Sequence, residues 1–159
     1  MAVMHRYIVI EGPLGVGKTT LTEMLAERLG AQTLLEDVEE NPFLVKFYQN
    51  PRKYGFQAQI FFLLRRYHMA LEMSQLGLFQ RTTVSDFLFD KDQVFARVNL
   101  EDHEFWLYEQ IYQILKKRMS PPDLVIFLQA KTDVLMQRLK NRSRKYEKNI
   151  TFKYLEKVN

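Results

Sequence analysis

Apolar residues in this chain fall into two kinds of run. Short continuous runs lie at Tyr7–Glu11 (YIVIE) and at residues 33–35 (TLL), 82–85 (TTVS) and 124–128 (LVIFL). They predict four strands buried on both faces, since a half-exposed strand would alternate apolar with polar positions. Between them, apolar residues recur at helical spacing. Leu21, Met24, Leu25 and Leu29 predict a helix over residues 18–29, with Gly30 as its C-terminal stop. Asn41-Pro42 reads as an N-cap followed by proline at the first helical position. The helix so opened runs through Phe43, Leu44, Phe47 and Tyr48 and closes near Pro51. An aromatic-rich helix is predicted over 56–76. Another, over 101–119, carries Phe105, Tyr108, Ile111, Leu115 and Met119 on one side and is broken by Pro121-Pro122. Thr132 caps a helix to about Arg142, and a last helix opens near Thr151.

Strands that alternate with helices, and that are apolar throughout, specify an α/β protein with a parallel sheet covered on both sides. The expected architecture is a three-layer α/β/α domain. No internal repeat or Gly/Ser/Pro-rich linker divides the chain, so residues 1–159 read as a single domain. The last helical signal runs up to Asn159, and a fifth strand is expected beyond it.

Composition removes several classes. The chain has 159 residues and no cysteine, which excludes a disulfide framework, a thiolate zinc site and a cysteine nucleophile. Its longest apolar run, residues 60–64, is too short to cross a bilayer, so no membrane association is expected. The first seven residues contain no apolar segment of secretory length, and a cytoplasmic protein is expected. The net charge of +4 is unevenly placed: residues 138–159 carry eight basic and two acidic side chains. A solvated helix face, a nucleic-acid patch or a phosphate-gripping segment would each account for that.

Gly12, Pro13, Leu14, Gly15, Val16, Gly17, Lys18 and Thr19 match G-x-x-x-x-G-K-[ST] in full, with Thr20 following. The match lies directly after a strand and opens a helix, as the mechanism requires. Glycines let successive N–H groups turn inward around a phosphate, and the helix N-terminus contributes roughly half a positive charge. Lys18 is positioned to reach the β/γ oxygens of ATP, and the Thr19 hydroxyl to ligate Mg²⁺. The motif specifies binding of a nucleoside triphosphate and leaves the phosphate's destination open. No N-K-x-D motif of a GTPase is present. Thr83-Val84-Ser85-Asp86 ends in a lone Asp followed by Phe87, not the Asp-Glu of a motor ATPase. A small-molecule kinase needs a base for the acceptor hydroxyl, a polar acceptor pocket and a basic cover for the phosphates.

Several spaced motifs supply candidates for each, and together they resemble the deoxynucleoside kinases. They are Glu36 past the second strand, the stretch Phe47 to Gln59 with its F-x-x-Q, Ser85-Asp86 after the third strand, and Arg138-Leu139-Lys140-Asn141-Arg142-Ser143-Arg144-Lys145-Tyr146-Glu147. The resemblance implies ATP-dependent phosphorylation of a deoxynucleoside 5′-hydroxyl, with ATP and Mg²⁺ as cofactors. It implies Glu36 as catalytic base, and Lys18, Arg138, Arg142 and Arg144 as phosphoryl-stabilising cations on a lid of residues 138–149. Thr19 and Asp86 would hold the metal. Tyr48 and Glu147 would meet the sugar 3′-hydroxyl, Gln59 the base, and Arg66 the acceptor site. It accounts for the basic tail without nucleic acid. It also implies a homodimer paired through long helices.

The sequence departs from the family at two points. Phe87 and Leu88 stand where an Arg-Ser follows the acid, with Lys91 as a substitute cation one turn on. Ser143 stands for a lid glycine. A thymidylate-type monophosphate kinase using Arg65-Arg66, or a non-catalytic nucleotide-binding module, are the other readings.

Overall fold

The computed structural model describes residues 6–75 and 81–159. Its centre is a four-stranded sheet in the order β2-β3-β1-β4, made of β1 (Tyr7–Glu11), β2 (Gln32–Leu34), β3 (Thr83–Ser85) and β4 (Leu124–Phe127). All pairings are parallel. Ile8 lies opposite Val84 on one side and Leu124 on the other. β1 is therefore an interior strand, and all five of its residues are buried, as the YIVIE run predicts.

Alternate residues of β1 face two helical layers. Ile8 and Ile10 pack with Ala26, Leu21 and Leu25 of α1 (Lys18–Leu29). Tyr7 and Val9 pack with Met73 of α3 (Pro51–Gln75). This is the expected three-layer arrangement. Gly30 ends α1 in the left-handed conformation, φ 59°, returning its N–H to Ala26 and Glu27. A second apolar cluster joins α3 to α4 (Lys91–Asn99) and α5 (Asp102–Lys116) through Leu63, Tyr67, Ala96, Phe105 and Tyr108. A third seats α6 (Thr132–Arg142) and α7 (Phe152–Val158) against the phosphate loop through Val16, Leu135, Leu139 and Leu155.

Several details differ from expectation. The long helix begins at Pro51, not Phe56, because proline that stops one helix is also well suited to the first turn of the next. The preceding α2 is short (Leu44–Gln49), and Asn41 does not cap it directly. Asn41 is buried, accepts from the Phe43 N–H at 3.0 Å and donates to the Ala58 carbonyl at 3.0 Å, so it ties a turn to α3. Thr132 is the first residue of α6, and its N-cap is Lys131 with no side-chain bond. Thr151 does cap α7, accepting from the Tyr154 N–H at 3.1 Å. α4 was not foreseen. β4 is an edge strand with Leu124, Val125 and Phe127 exposed, so its apolar run is not covered on both faces among the described residues. The predicted helix end at Leu76 lies outside the described residues.

Candidate active site

The phosphate loop follows β1 without an intervening residue. Gly12 sits so close to the fourth strand's exit that a Cβ there would lie 2.6 Å from the Leu128 carbonyl oxygen. Gly17 caps α1 at φ 104°, a conformation that side chains oppose. Lys18 curls back over the loop and donates to the carbonyls of Gly12 (2.9 Å) and Pro13 (3.1 Å). Burial, reinforced by the nearby Lys91, lowers its ammonium from the usual 10.5 to about 8.

The two predicted metal-holding residues meet. The Thr19 hydroxyl donates to Asp86 Oδ2 at 2.7 Å, and Asp86 Oδ1 accepts from the Glu36 N–H at 2.8 Å. Asp86 thus also fixes the backbone from which the candidate base projects. Burial raises its carboxyl pKa, against the pull of those two hydrogen bonds. Among the described residues no three His, Asp or Glu side chains gather as a metal cage. A hydroxyl beside one carboxylate is a hard-oxygen set that suits Mg²⁺, which takes one or two protein ligands and completes its shell with water and phosphate oxygens.

Glu36 is gripped by Arg66 of α3. Nε donates to Oε1 at 2.7 Å and Nη2 to Oε2 at 3.0 Å. The remaining face of the guanidinium donates from Nη1 to Asp92 Oδ1 at 2.6 Å. Asp92 is fully buried on α4, takes a second bond from the Tyr108 hydroxyl, and receives Gln59 Nε2 on its carbonyl at 3.1 Å. Burial pulls the Arg66 pKa down, but Glu36 and Asp92 outweigh it and the guanidinium stays charged. Burial pushes the Asp92 carboxyl up against Arg66. Glu36, Arg66, Asp92 and Gln59 therefore form one continuous polar wall.

The basic segment closes the opposite side. Arg138 donates to the Val16 carbonyl of the phosphate loop at 3.0 Å. Arg142 pairs with the buried Glu147, and Arg144 donates to the Tyr146 hydroxyl at 2.7 Å. Four-residue spacing puts Arg138 and Arg142 on one helix face, yet they bind different partners. Between them and the next residues, Ser143 ends α6 in the left-handed region at φ 54°. Tyr48 stacks on Tyr146 with ring centroids 6.5 Å apart and meets Tyr154 edge-on at 6.1 Å. Burial raises its phenol pKa.

A cavity of about 380 Å³ joins these parts, from Lys18 and Thr19 on one side to Gln59 and Glu147 on the other. Arg138 is the predicted catalytic residue outside its lining. Lys91, the candidate substitute cation, lines this cavity, where it pairs with Glu11 (2.5 Å) and donates to the Gly12 carbonyl. Glu11 was missed altogether. It is buried at the end of β1 and accepts from the N–H groups of Gly12 (2.7 Å) and Leu88 (3.0 Å). Its signal was a carboxylate closing an otherwise apolar strand. Asp92 too was not foreseen, since nothing local in the sequence marks it as a partner of Arg66.

The family model described as deoxynucleoside kinase matches residues 8–159. The chain is similar to a deoxyguanosine kinase of Bacillus subtilis, with 37% identity across 96% of this chain and 74% of that protein. It is also similar to a deoxyadenosine kinase of Dictyostelium discoideum, with 35% identity across 96% of this chain and 63% of the relative. Among solved structures, a deoxyadenosine kinase from M. mycoides with products dCMP and a flexible dCDP bound superposes with a TM-score of 0.85. It shares 28% identity, over 96% of this chain and 79% of that one. The same enzyme with bound dATP gives a TM-score of 0.84, at 27% identity and the same coverage of both chains. On sequence and on fold alike, the chain belongs to the deoxynucleoside kinase family.

Proposed function

We propose that this chain transfers the terminal phosphoryl group of ATP to the 5′-hydroxyl of a deoxynucleoside, giving the deoxynucleoside monophosphate and ADP in nucleotide salvage. The observation that carries this reading is the Glu36 carboxylate, forked by Arg66 and lining the same cavity as the phosphate loop. A carboxylate held in this way orients the acceptor hydroxyl for in-line attack and takes its proton as the new P–O bond forms. The bond to the ADP oxygen breaks, and the electron pair leaves with ADP. Lys18 with Arg138, Arg142 and Arg144 supply fixed positive charge to the equatorial oxygens, where catalysis of phosphoryl transfer is concentrated. Thr19 and Asp86 would hold Mg²⁺, which when bound would neutralise phosphate charge. On the acceptor side, Tyr48 and Glu147 would meet the sugar and Gln59 the base.

Residues 138–149 act as the lid of a single domain in this reading. Its arginines bond to the Val16 carbonyl, the Glu147 carboxylate and the Tyr146 hydroxyl. A thymidylate-type acceptor would need arginines to receive its phosphate. Arg65 is bonded to Glu40, and Arg66 to Glu36 and Asp92, which favours an uncharged nucleoside. A cytoplasmic location suits nucleotide salvage, and among the described residues no helix is long and apolar enough to cross a membrane. Homodimer formation through α5 is supported by its exposed Trp106, Leu107 and Ile114.

The test is phosphoryl transfer from MgATP to each of the four deoxynucleosides, with thymidylate and a no-acceptor control. Turnover that requires a deoxynucleoside and is lost in Glu36→Ala supports the reading. Turnover with thymidylate alone would replace it, and no turnover with any acceptor would refute it.

A further inference from the structure

Two lysines from distant parts of the chain converge on a single carbonyl oxygen. Lys18, the first residue of α1, donates to the Gly12 carbonyl at 2.9 Å. Lys91, the first residue of α4, donates to that same oxygen. Two ammonium groups crowded on one neutral acceptor repel each other, and Lys91 is indeed among the causes that lower the Lys18 pKa. The crowding is relieved when an anion enters between them. Lys91 lines the cavity, and besides the Phe95 ring, centred 5.4 Å from its ammonium, its other anchor is Glu11, whose carboxylate is already supplied by two backbone N–H groups. Glu11 therefore keeps hydrogen-bond partners if Lys91 leaves. Phe87 and Leu88, the residues directly after Asp86, offer no cation on this side of the phosphate loop.

We propose that Lys91 is a second phosphate-directed lysine: it leaves the Gly12 carbonyl when ATP binds, and its ammonium contacts the transferring phosphoryl group beside Lys18. No bond is made to Lys91; it contributes fixed charge where negative charge moves during transfer. This deepens the kinase reading above and rests on it. The competing role is structural, in which Lys91 serves only to neutralise the buried Glu11.

Three variants separate the two roles: Lys91→Met, Glu11→Gln, and both together. The double variant leaves no unpaired buried carboxylate, so it remains informative if Lys91→Met alone fails to fold. The expected result is a fall of about 100-fold in kcat for the double variant relative to Glu11→Gln, the scale seen when one transition-state donor is removed. The KM for the deoxynucleoside should stay unchanged. A double variant that turns over like Glu11→Gln would overturn the proposal and leave Lys91 as the partner of Glu11. Calorimetric titration with a non-hydrolysable ATP analogue and with ADP needs no acceptor, so it decides the matter even if the chain proves inactive on every deoxynucleoside. Losing a charge-assisted bond should weaken the ATP analogue by about 10-fold and leave ADP unmoved. Equal affinities for the analogue in Glu11→Gln and the double variant would overturn the proposal.

Discussion

The guanidinium of Arg66 holds the carboxylate of Glu36 through two N–H···O bonds, at 2.7 and 3.0 Å, across 30 residues of sequence. Both side chains are nearly buried. A lysine cannot reproduce that fork, because an ammonium is a point charge with no planar pair of donors. Arg66→Lys is expected to lower kcat by about 100-fold, the scale that small misplacement of a reacting group costs. Arg66→Met goes further and strands two carboxylates. It should destabilise the chain by about 3–5 kcal/mol, read from urea unfolding.

Gln59 stands on the same wall and lines the cavity. It donates one N–H to the Asp92 carbonyl, and a primary amide has a further N–H and an acceptor oxygen. Gln59→Ala should therefore raise KM for the deoxynucleoside by about 10-fold, the value of one or two neutral hydrogen bonds. Steady-state kinetics should show KM for ATP unmoved.

Lys18 gives a pH signature. Its folded pKa of about 8 lies below the usual 10.5, so between those values the unfolded chain binds more protons at this site. The contribution of Lys18 to ligand-free stability therefore rises with pH across that window. Binding of ATP reverses the preference, because a polyphosphate favours the ammonium. Affinity for ATP should be constant below pH 8 and fall by up to about tenfold per pH unit above it. Above pH 8, proton uptake on binding, measured by calorimetry in two buffers, should approach one per site, and Lys18→Met should abolish it.

Ser143 occupies a left-handed position that costs a side chain about 1–2 kcal/mol. Glycine would remove that strain and return about 0.4–1 kcal/mol of it as unfolded-state entropy. Ser143→Gly is expected to stabilise the chain by about 0.5–1 kcal/mol, seen as a higher urea midpoint. A lower midpoint would mean that the Ser143 hydroxyl on the Lys140 carbonyl, 2.9 Å away, matters more than the backbone strain.

Thr19→Ala removes a hydroxyl that bonds Asp86 at 2.7 Å. The Mg²⁺ concentration for half-maximal turnover should rise about 10-fold, on the scale of one lost hydrogen bond or ligand. Saturating Mg²⁺ should recover most of the rate.

What was legible in the sequence was what is local. The phosphate loop lies within eight residues, and β1 and α1 flank it as apolar runs of two different periods. The family motifs brought Glu36, Gln59, Asp86 and Glu147 to one cavity. The partners were not legible. Arg66 finds Glu36 and Asp92 at separations of 30 and 26 residues, and Lys91 finds Glu11 at 80. No periodicity encodes such pairs, because they are chosen by how helices settle on the sheet. α4 escaped for a different reason. It is nine residues long and opens on Asp90-Lys91-Asp92 with no side-chain cap, so its first turn reads as loop. Pro51 was read as a stop when it was also a start.

The central position of β1 has a consequence for how the chain folds. Ile8 needs Val84 on one side and Leu124 on the other. A parallel strand has no nearby partner, and such non-local pairings are slow because a long loop must close before they form. During synthesis at about 5–20 residues per second, Ile8 would be exposed for several seconds or more before Leu124 emerged. The strand that leads into the phosphate loop is thus made well before the second of its two partners. Until Val84 emerges YIVI is an apolar strand with both edges open, and until Leu124 emerges one edge stays open, which makes it a segment a chaperone has reason to cover.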